Sequence, residues 1–357
     1  MTVIGISGMG RIGRLLLRRA FSTDTETVLK EGRLLGEQIK AINIIHPAET
    51  IAHLLKYDSV HGVWDAAILV KDGQLVINGH AIRLFGEREP ERIPWAEAGV
   101  EVVLDATGKF NDRVGASRHL QGGAKTVILT APGKQMDLTV VMGVNDANYD
   151  PDSHRLLSAA SCTTNCLAPV LHILDESFLV KQGWMTTIHS YTNDQNHLDN
   201  PHSDLRRARA CAQSIVPTTT GAGKALTDVL PHLAPHVQGI SIRVPTPNVS
   251  LIDLTVETEC QATVEEVKAA FKLAAAGPLS RYIGYTEEPL VSVDFTGTTR
   301  SAWIDGLSVS ASGQQIKVLA WYDNEWAYSC RVLDLTQLVL ERLAESSRQP
   351  SGVDSLH

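Results

Sequence analysis

The apolar and polar positions divide the chain into two unlike halves. Residues 3–7 form a short apolar run, which predicts a buried strand. A glycine-rich turn follows at 8–13, and then Ile12, Leu15, Leu16 and Phe21 recur at helical spacing among basic residues. A second apolar run spans 39–45, and the polar stretch 22–38 before it reads as a helix tail plus a local insertion. Further strand signals stand at 67–70, 74–77, 101–104 and 126–129. Strands alternating with helices over the first 160 residues predict a mostly parallel, doubly wound α/β sheet. Beyond residue 161 the pattern changes. A helix is expected at 165–179, strands at 184–189, 238–244 and 249–257, and a helix at 263–275 that opens on a capping pair, Thr263 and Glu266. Long strands at 301–310 and 315–321 make this half an α+β unit with a mostly antiparallel sheet. The reading is therefore two domains, 1–161 and 162–327, with a helix at 328–345 packing back on the first and a disordered tail at 346–357.

Composition narrows the function classes. The 357 residues suffice for two domains, and the net charge of −8 with no Lys/Arg block argues against a nucleic-acid partner. No run of 18 apolar residues occurs, so no membrane span is expected, and no signal peptide is read at the start. The 5 cysteines are odd in number and sparse, which points to a reducing cytoplasm rather than a disulfide framework. No metal-ligand spacing appears, and no metal is expected.

Gly8, Gly10 and Gly13 lie between a strand and a helix, the context that the Gly-x-Gly-x-x-Gly pattern needs. The first allows a tight turn, the second close approach of the backbone to a pyrophosphate, and the third helix–strand packing. That is the Rossmann dinucleotide fingerprint, with phosphates on a helix N-terminus. A carboxylate normally ends the second strand and binds the ribose diol. Here the strand ends on Ile44 and Ile45, followed by His46, and Glu49 falls in the next helix. Without that carboxylate, a 2′-phosphate is not repelled, and NADP is permitted alongside NAD.

Cys162 stands between an apolar strand and a helix, where the helix dipole favours a thiolate. A nearby imidazole would stabilise the thiolate and exchange protons with it. Cys166, one turn on, reads as packing.

The run 159–169, Ala-Ala-Ser-Cys-Thr-Thr-Asn-Cys-Leu-Ala-Pro, resembles the active-site signature of the glyceraldehyde-3-phosphate dehydrogenase family. The resemblance continues at 53–62, 130–134, 189–195, 204–210, 243–249 and 321–326, and so covers nearly the whole chain. It implies an NAD(P)-dependent, phosphorylating aldehyde dehydrogenase in which Cys162 attacks the aldehyde and His189 is its base. It further implies that Thr192, Asp194 and Arg243 belong to the substrate-phosphate site of a triose phosphate, with Asp194 as an orienter since a carboxylate opposes phosphate, and that Ser161, Thr163, Arg207, Thr220 and Gly221 hold inorganic phosphate. On the cofactor side it implies Gly8, Gly10, Gly13, Arg11 at the pyrophosphate, Ile12 against the nicotinamide, Ile44, Arg88 beside the adenine, Thr107, Gly108, Thr130, Asn200 from a neighbouring subunit, and Asn324 on the carboxamide. Family members are homotetramers, and the segment 191–216 resembles their inter-subunit loop.

Departures from the family pattern bear on the cofactor. Ile44 stands where NAD-dependent glycolytic members carry Asp, and Asn200 where they carry Leu; both resemble bacterial NADP-accepting, gluconeogenic-type members. Pro201 is the NAD-type residue, and Ala327 replaces a more usual Gly. Two rivals stand beside the main reading. Erythrose-4-phosphate dehydrogenase is similar in sequence and resolves its thioester with water; the intact run at 218–224, Thr-Thr-Thr-Gly-Ala-Gly-Lys, favours phosphorolysis. A non-catalytic dinucleotide- or RNA-binding protein on the same fold ranks behind both, because Cys162 and His189 are present.

Overall fold

The computed structural model describes residues 2–23 and 34–346. Most of the expected insertion at 22–38 and nearly all of the expected tail at 346–357 lie outside the described residues; Leu35–Gln38 is a 3₁₀ turn.

A nine-stranded sheet runs, edge to edge, Leu138–Thr139, Leu156–Ser158, Thr126–Leu129, Val100–Asp105, Val3–Ser7, Ile39–Asn43, His80–Phe85, Gln74–Ile77 and Ile68–Lys71. The first seven of these pair in parallel, and the last two add an antiparallel edge. Ile4, Ile6, Ile39, Ile42, Val102 and Leu104 are wholly buried, as strands covered on both faces require. The strand order reverses about Val3–Ser7, which opens a crevice at the C-terminal ends of Val3–Ser7 and Val100–Asp105.

The helices are α1 (Arg11–Ala20), α2 (Ala48–Lys56), α3 (Arg113–Gln121), α4 (Cys162–Phe178), α5 (Ala222–Val229), α6 (Val264–Ala276) and α7 (Trp326–Ser346). A second, eight-stranded sheet is mostly antiparallel: Val216–Thr218, Val237–Val244, Val180–Ser190, Ser250–Thr258, Gln315–Tyr322, Ala302–Asp305 and Ile283–Thr286 in order, with Ser310–Ser312 pairing Gln315–Tyr322. Helices α4 and α6 cover one face of it and share its core. Helix α7 returns to the first sheet, where Tyr328, Val332, Leu335 and Val339 join the core beside α1.

Several boundaries differ from expectation for local reasons. Helix α4 starts at Cys162, not 165, because Ser161 Oγ accepts the Thr164 N–H at 3.0 Å and caps it. Helix α7 starts at 326 rather than 328, because Asp323 Oδ1 accepts the N–H groups of Glu325 and Trp326 at 2.9 and 2.8 Å. The expected strand at 301–310 breaks after Asp305, whose carboxylate accepts the N–H groups of Leu307 and Ser308 at 3.1 and 3.2 Å. The strand His80–Phe85 was not foreseen, although Asn78-Gly79, both at positive φ (51° and 84°), is a strong two-residue hairpin signal. The capping box at Thr263 and Glu266 forms as expected.

Candidate active site

The crevice holds a cavity of about 530 Å³ lined by Gly8, Gly10, Ile44, His46, Arg88, Thr107 and neighbouring residues. Gly8 is at φ +95°, and a Cβ on Gly13 would lie 2.1 Å from the Gly8 carbonyl oxygen, so both are required by the chain itself. Around Gly10 a Cβ would meet nothing within 4 Å, so its bareness leaves room for a ligand. Helix α1 begins at Arg11 with no side-chain cap, and its first N–H groups face the turn. A diphosphate in this cradle would complete the helix start. The residues present therefore fit a dinucleotide.

Polar groups shape the cavity without being obvious ligands. Asn43 Nδ2 donates to the Glu87 carbonyl at 2.8 Å and its Oδ1 accepts the Glu87 N–H at 2.9 Å, which pins the loop bearing Arg88. Asp105 Oδ1 accepts from the N–H and hydroxyl of Thr107 at 2.8 and 2.6 Å. Its other oxygen lies 3.2 Å from His119 Nε2, while Trp95 Nε1 donates to His119 Nδ1 at 3.1 Å. That bond makes Nε2 the protonated nitrogen, so a buried Trp–His–Asp chain orients Thr107. Gly108 is exposed at φ +67° beyond it, and the N–H of Thr130 donates to the Asp105 carbonyl at 3.0 Å.

Arg11 does not match its expected role. Its guanidinium is held by Asp58 at 3.1 and 3.2 Å and by both oxygens of Glu325, away from the cavity lining. Gly10, the residue before it, lines the cavity. His61 Nε2 sits 3.2 Å from Glu325 Oε2 and completes the network. Burial pushes the Asp58 carboxyl up, but the His61 N–H, Arg11 and the Val60 N–H outweigh it and hold it down at about 2. Asn200 is exposed on the 191–216 loop and is not part of the cavity lining. Ile12 is half-buried at the start of α1.

Apart from the residues that line this cavity, Cys162 Sγ lies 3.5 Å from His189 Nε2. Cys162 opens α4, and His189 sits next to last in the strand Val180–Ser190, so a helix start and a strand end bring together residues 27 positions apart. His189 Nδ1 is 2.6 Å from the Ser190 carbonyl and 3.0 Å from Arg243 Nη1, which also donates to that carbonyl at 3.1 Å. When Nδ1 carries its proton to Ser190, Nε2 is the basic nitrogen and faces the sulfur. Burial, then the Arg243 charge, pulls the imidazole down to about 3, and the Ser190 bond opposes them. Burial pushes the Cys162 thiol up, against Arg243 and the Thr163 hydroxyl. Each charge alone is disfavoured in this enclosed place. Proton transfer from Sγ to Nε2 creates both charges together, where each stabilises the other.

Thr163 Oγ1 is 2.9 Å from Tyr322 Oη, which is 2.7 Å from Thr187 Oγ1. This buried hydroxyl chain behind the sulfur carries no sequence signal beyond the residue types. Arg243 Nε is enclosed and makes no hydrogen bond among the described residues, so an anion beside it would gain a donor. Arg207 pairs with Asp194 and donates to Thr218 Oγ1 at 3.0 Å and the Thr219 carbonyl at 3.2 Å, which draws the 192–207 loop to the 218–221 segment. Thr192 is half-buried at the start of that loop, Thr220 precedes α5, and Gly221 caps it. Asn324 Oδ1 accepts from Ser190 Oγ and Ser250 Oγ, both at 2.9 Å. No group of His, Cys, Asp and Glu suited to a metal occurs among the described residues.

Comparison with known proteins agrees over both halves. Residues 2–113 match the model of the glyceraldehyde 3-phosphate dehydrogenase NAD binding domain, and residues 161–324 that of the C-terminal domain. Glyceraldehyde-3-phosphate dehydrogenase 2 of Bacillus subtilis is 50% identical over 98% of this chain and 99% of its own length. The Geobacillus stearothermophilus glyceraldehyde-3-phosphate dehydrogenase is 52% identical over 95% of this chain and 98% of its own. Glyceraldehyde-3-phosphate dehydrogenase 1 of Bacillus subtilis is 48% identical over 95% and 98%. The chain belongs to the glyceraldehyde-3-phosphate dehydrogenase family, and is an NAD(P)-dependent, phosphorylating aldehyde dehydrogenase.

Proposed function

We propose that the chain oxidises glyceraldehyde 3-phosphate with inorganic phosphate to an acyl phosphate, with Cys162 as nucleophile and His189 as base. The 3.5 Å approach of Sγ to Nε2 at the head of α4 carries the reading. His189 Nε2 takes the Sγ proton, the thiolate attacks the aldehyde carbon, and the imidazolium returns that proton to the carbonyl oxygen, giving a thiohemiacetal. The Cys162 N–H, at a helix start with no intrahelical partner, faces the developing oxyanion. The bound nicotinamide supplies the hydride acceptor. As hydride leaves, His189 Nε2 takes the hydroxyl proton and a thioester remains on Cys162. A phosphate oxygen then attacks the thioester carbon, the C–S bond breaks, and Sγ departs as thiolate. Arg243 and Thr192 hold the substrate phosphate, and Asp194 orients the site through its pair with Arg207. Arg207, with Ser161, Thr163, Thr220 and Gly221, receives inorganic phosphate.

NADP is accepted at least as well as NAD. The apolar Ile44, at the position where a carboxylate ordinarily ends the second strand, and the cation Arg88 at the cavity support this. Asn324 holds the nicotinamide carboxamide, and Asn200 reaches the cofactor of a neighbouring subunit. A homo-oligomer is supported by exposed apolar side chains: Leu198, Leu205 and Ile215 on the 191–216 loop, and Trp184 and Ile240 on the uncovered sheet face. No helix among the described residues is long and apolar enough to cross a membrane; a cytoplasmic enzyme is the reading that goes with the free cysteines.

Initial rates with NAD and with NADP, each with and without phosphate, test the proposal. Turnover should require phosphate; sustained turnover in its absence would favour the hydrolytic rival. Ile44→Asp should shift preference towards NAD, and an unchanged ratio would show that another residue meets the ribose.

A further inference from the structure

We infer that Ser190 and Ser250 are positioning residues for the nicotinamide end of the cofactor, acting through Asn324; the inference rests on the reading of Asn324 given above. Both serines are buried, with 0% and 2% of their surface exposed, and both hydroxyls lie 2.9 Å from Asn324 Oδ1. Ser250 Oγ also accepts the Ser190 backbone N–H at 3.0 Å and lies 3.5 Å from Ser190 Oγ, so Asn324 Oδ1 is the nearer acceptor for its single hydrogen. Two donors on one oxygen set the amide: its carbonyl faces the serines and its NH2 group points away from them. Turned over, the amide would leave the hydroxyl hydrogens without that acceptor in a dry interior.

With the nicotinamide against Asn324, as that reading has it, the NH2 group offered to it donates and does not accept. It recognises the carbonyl oxygen of a carboxamide and rejects its amine. Turning a nicotinamide ring over about its glycosidic bond exchanges the face offered to the substrate and carries the carboxamide to the other side. The serine pair, by fixing the donor, selects the face that receives hydride. Ser190 has a second role, because its carbonyl accepts from His189 Nδ1 at 2.6 Å. One residue at the end of Val180–Ser190 thus sets the base through its backbone and the carboxamide donor through its side chain.

The test compares the full dinucleotide with ADP-ribose, which lacks nicotinamide, or with its 2′-phosphate for NADP. Ser190→Ala and Ser250→Ala should each weaken dinucleotide binding about three- to tenfold and leave ADP-ribose binding within about twofold. With substrate deuterated at the aldehyde carbon, the double variant should deliver a measurable share of deuterium to the opposite face of the ring. Equal losses for both ligands, loss of ADP-ribose binding, or unchanged binding and stereochemistry would each overturn the inference. Asn324→Ala separates the two levels. If it leaves the dinucleotide to ADP-ribose ratio untouched, the reading of Asn324 itself falls. If it changes the ratio and the serine variants do not, only the role of the serines falls.

Discussion

The dinucleotide cavity and the Cys162–His189 site are built from different material. The dinucleotide end is backbone and aliphatic surface: a positive-φ glycine, a bare Gly10, an uncapped helix start and Ile44. The acyl end is side-chain chemistry: a thiol, an imidazole, two arginines and a chain of hydroxyls on strand and helix ends. A backbone-built site tolerates changes that keep the chain's path and fails sharply when the path moves. A side-chain site keeps its fold when edited and loses only the step that the edited group performs. The Arg11 network joins the ends, since Arg11 follows Gly10 and Glu325 follows Asn324.

Substitutions at each end should separate these behaviours. Cys162→Ser should lower turnover by about 10,000-fold or more, the scale seen when a nucleophile is removed, with cofactor binding retained. A stopped-flow burst of reduced cofactor measures it, and near-normal turnover would dismantle the mechanism. Arg243→Gln should raise the KM for triose phosphate about 10- to 100-fold, because a charge-assisted contact to phosphate is lost. If only kcat fell, the arginine would serve His189 rather than the substrate.

At the dinucleotide end the two glycines should part company. Gly13→Ala places a Cβ 2.1 Å from the Gly8 carbonyl oxygen and should destabilise the fold by about 3 kcal/mol in denaturant titrations. Gly10→Ala meets no atom within 4 Å and should leave stability unchanged while weakening cofactor binding. Equal stabilities for the pair would show that the turn relaxes. The smallest effect concerns the bridge between the ends. Asp58 titrates at about 2 in the fold against an ordinary 3.8, so it stabilises fully above 3.8 and loses that contribution as pH falls towards 2. Asp58→Asn should melt below the parent at neutral pH, and the difference should close over that acid window. A gap independent of pH would mean that Asp58 acts by packing.

Much of this was legible in the chain. The period-2 and period-3.6 patterns marked most of the strands and helices, since buried faces repeat with the geometry of each element. Gly8, Gly10, Gly13 and Cys162 were legible because a turn and a helix start are local events. The start of α4 was misread by three residues because Ser161 caps it with a side chain that serves equally well in a loop. The ion pairs of the Arg11 side chain were not legible because its partners, Asp58 and Glu325, lie 47 and 314 positions away.

The sequence by itself determined which elements form, where a phosphate cradle opens and which cysteine stands at a helix start, because each depends on backbone geometry over a few residues. Tertiary structure alone decided that His189 meets that cysteine, that Arg11 serves a carboxylate network, and that Ser190 and Ser250 turn the Asn324 amide. Hydrogen bonds and charges act over a few ångströms of space, whatever the distance along the chain, and only packing the two sheets against their helices brings those atoms into range.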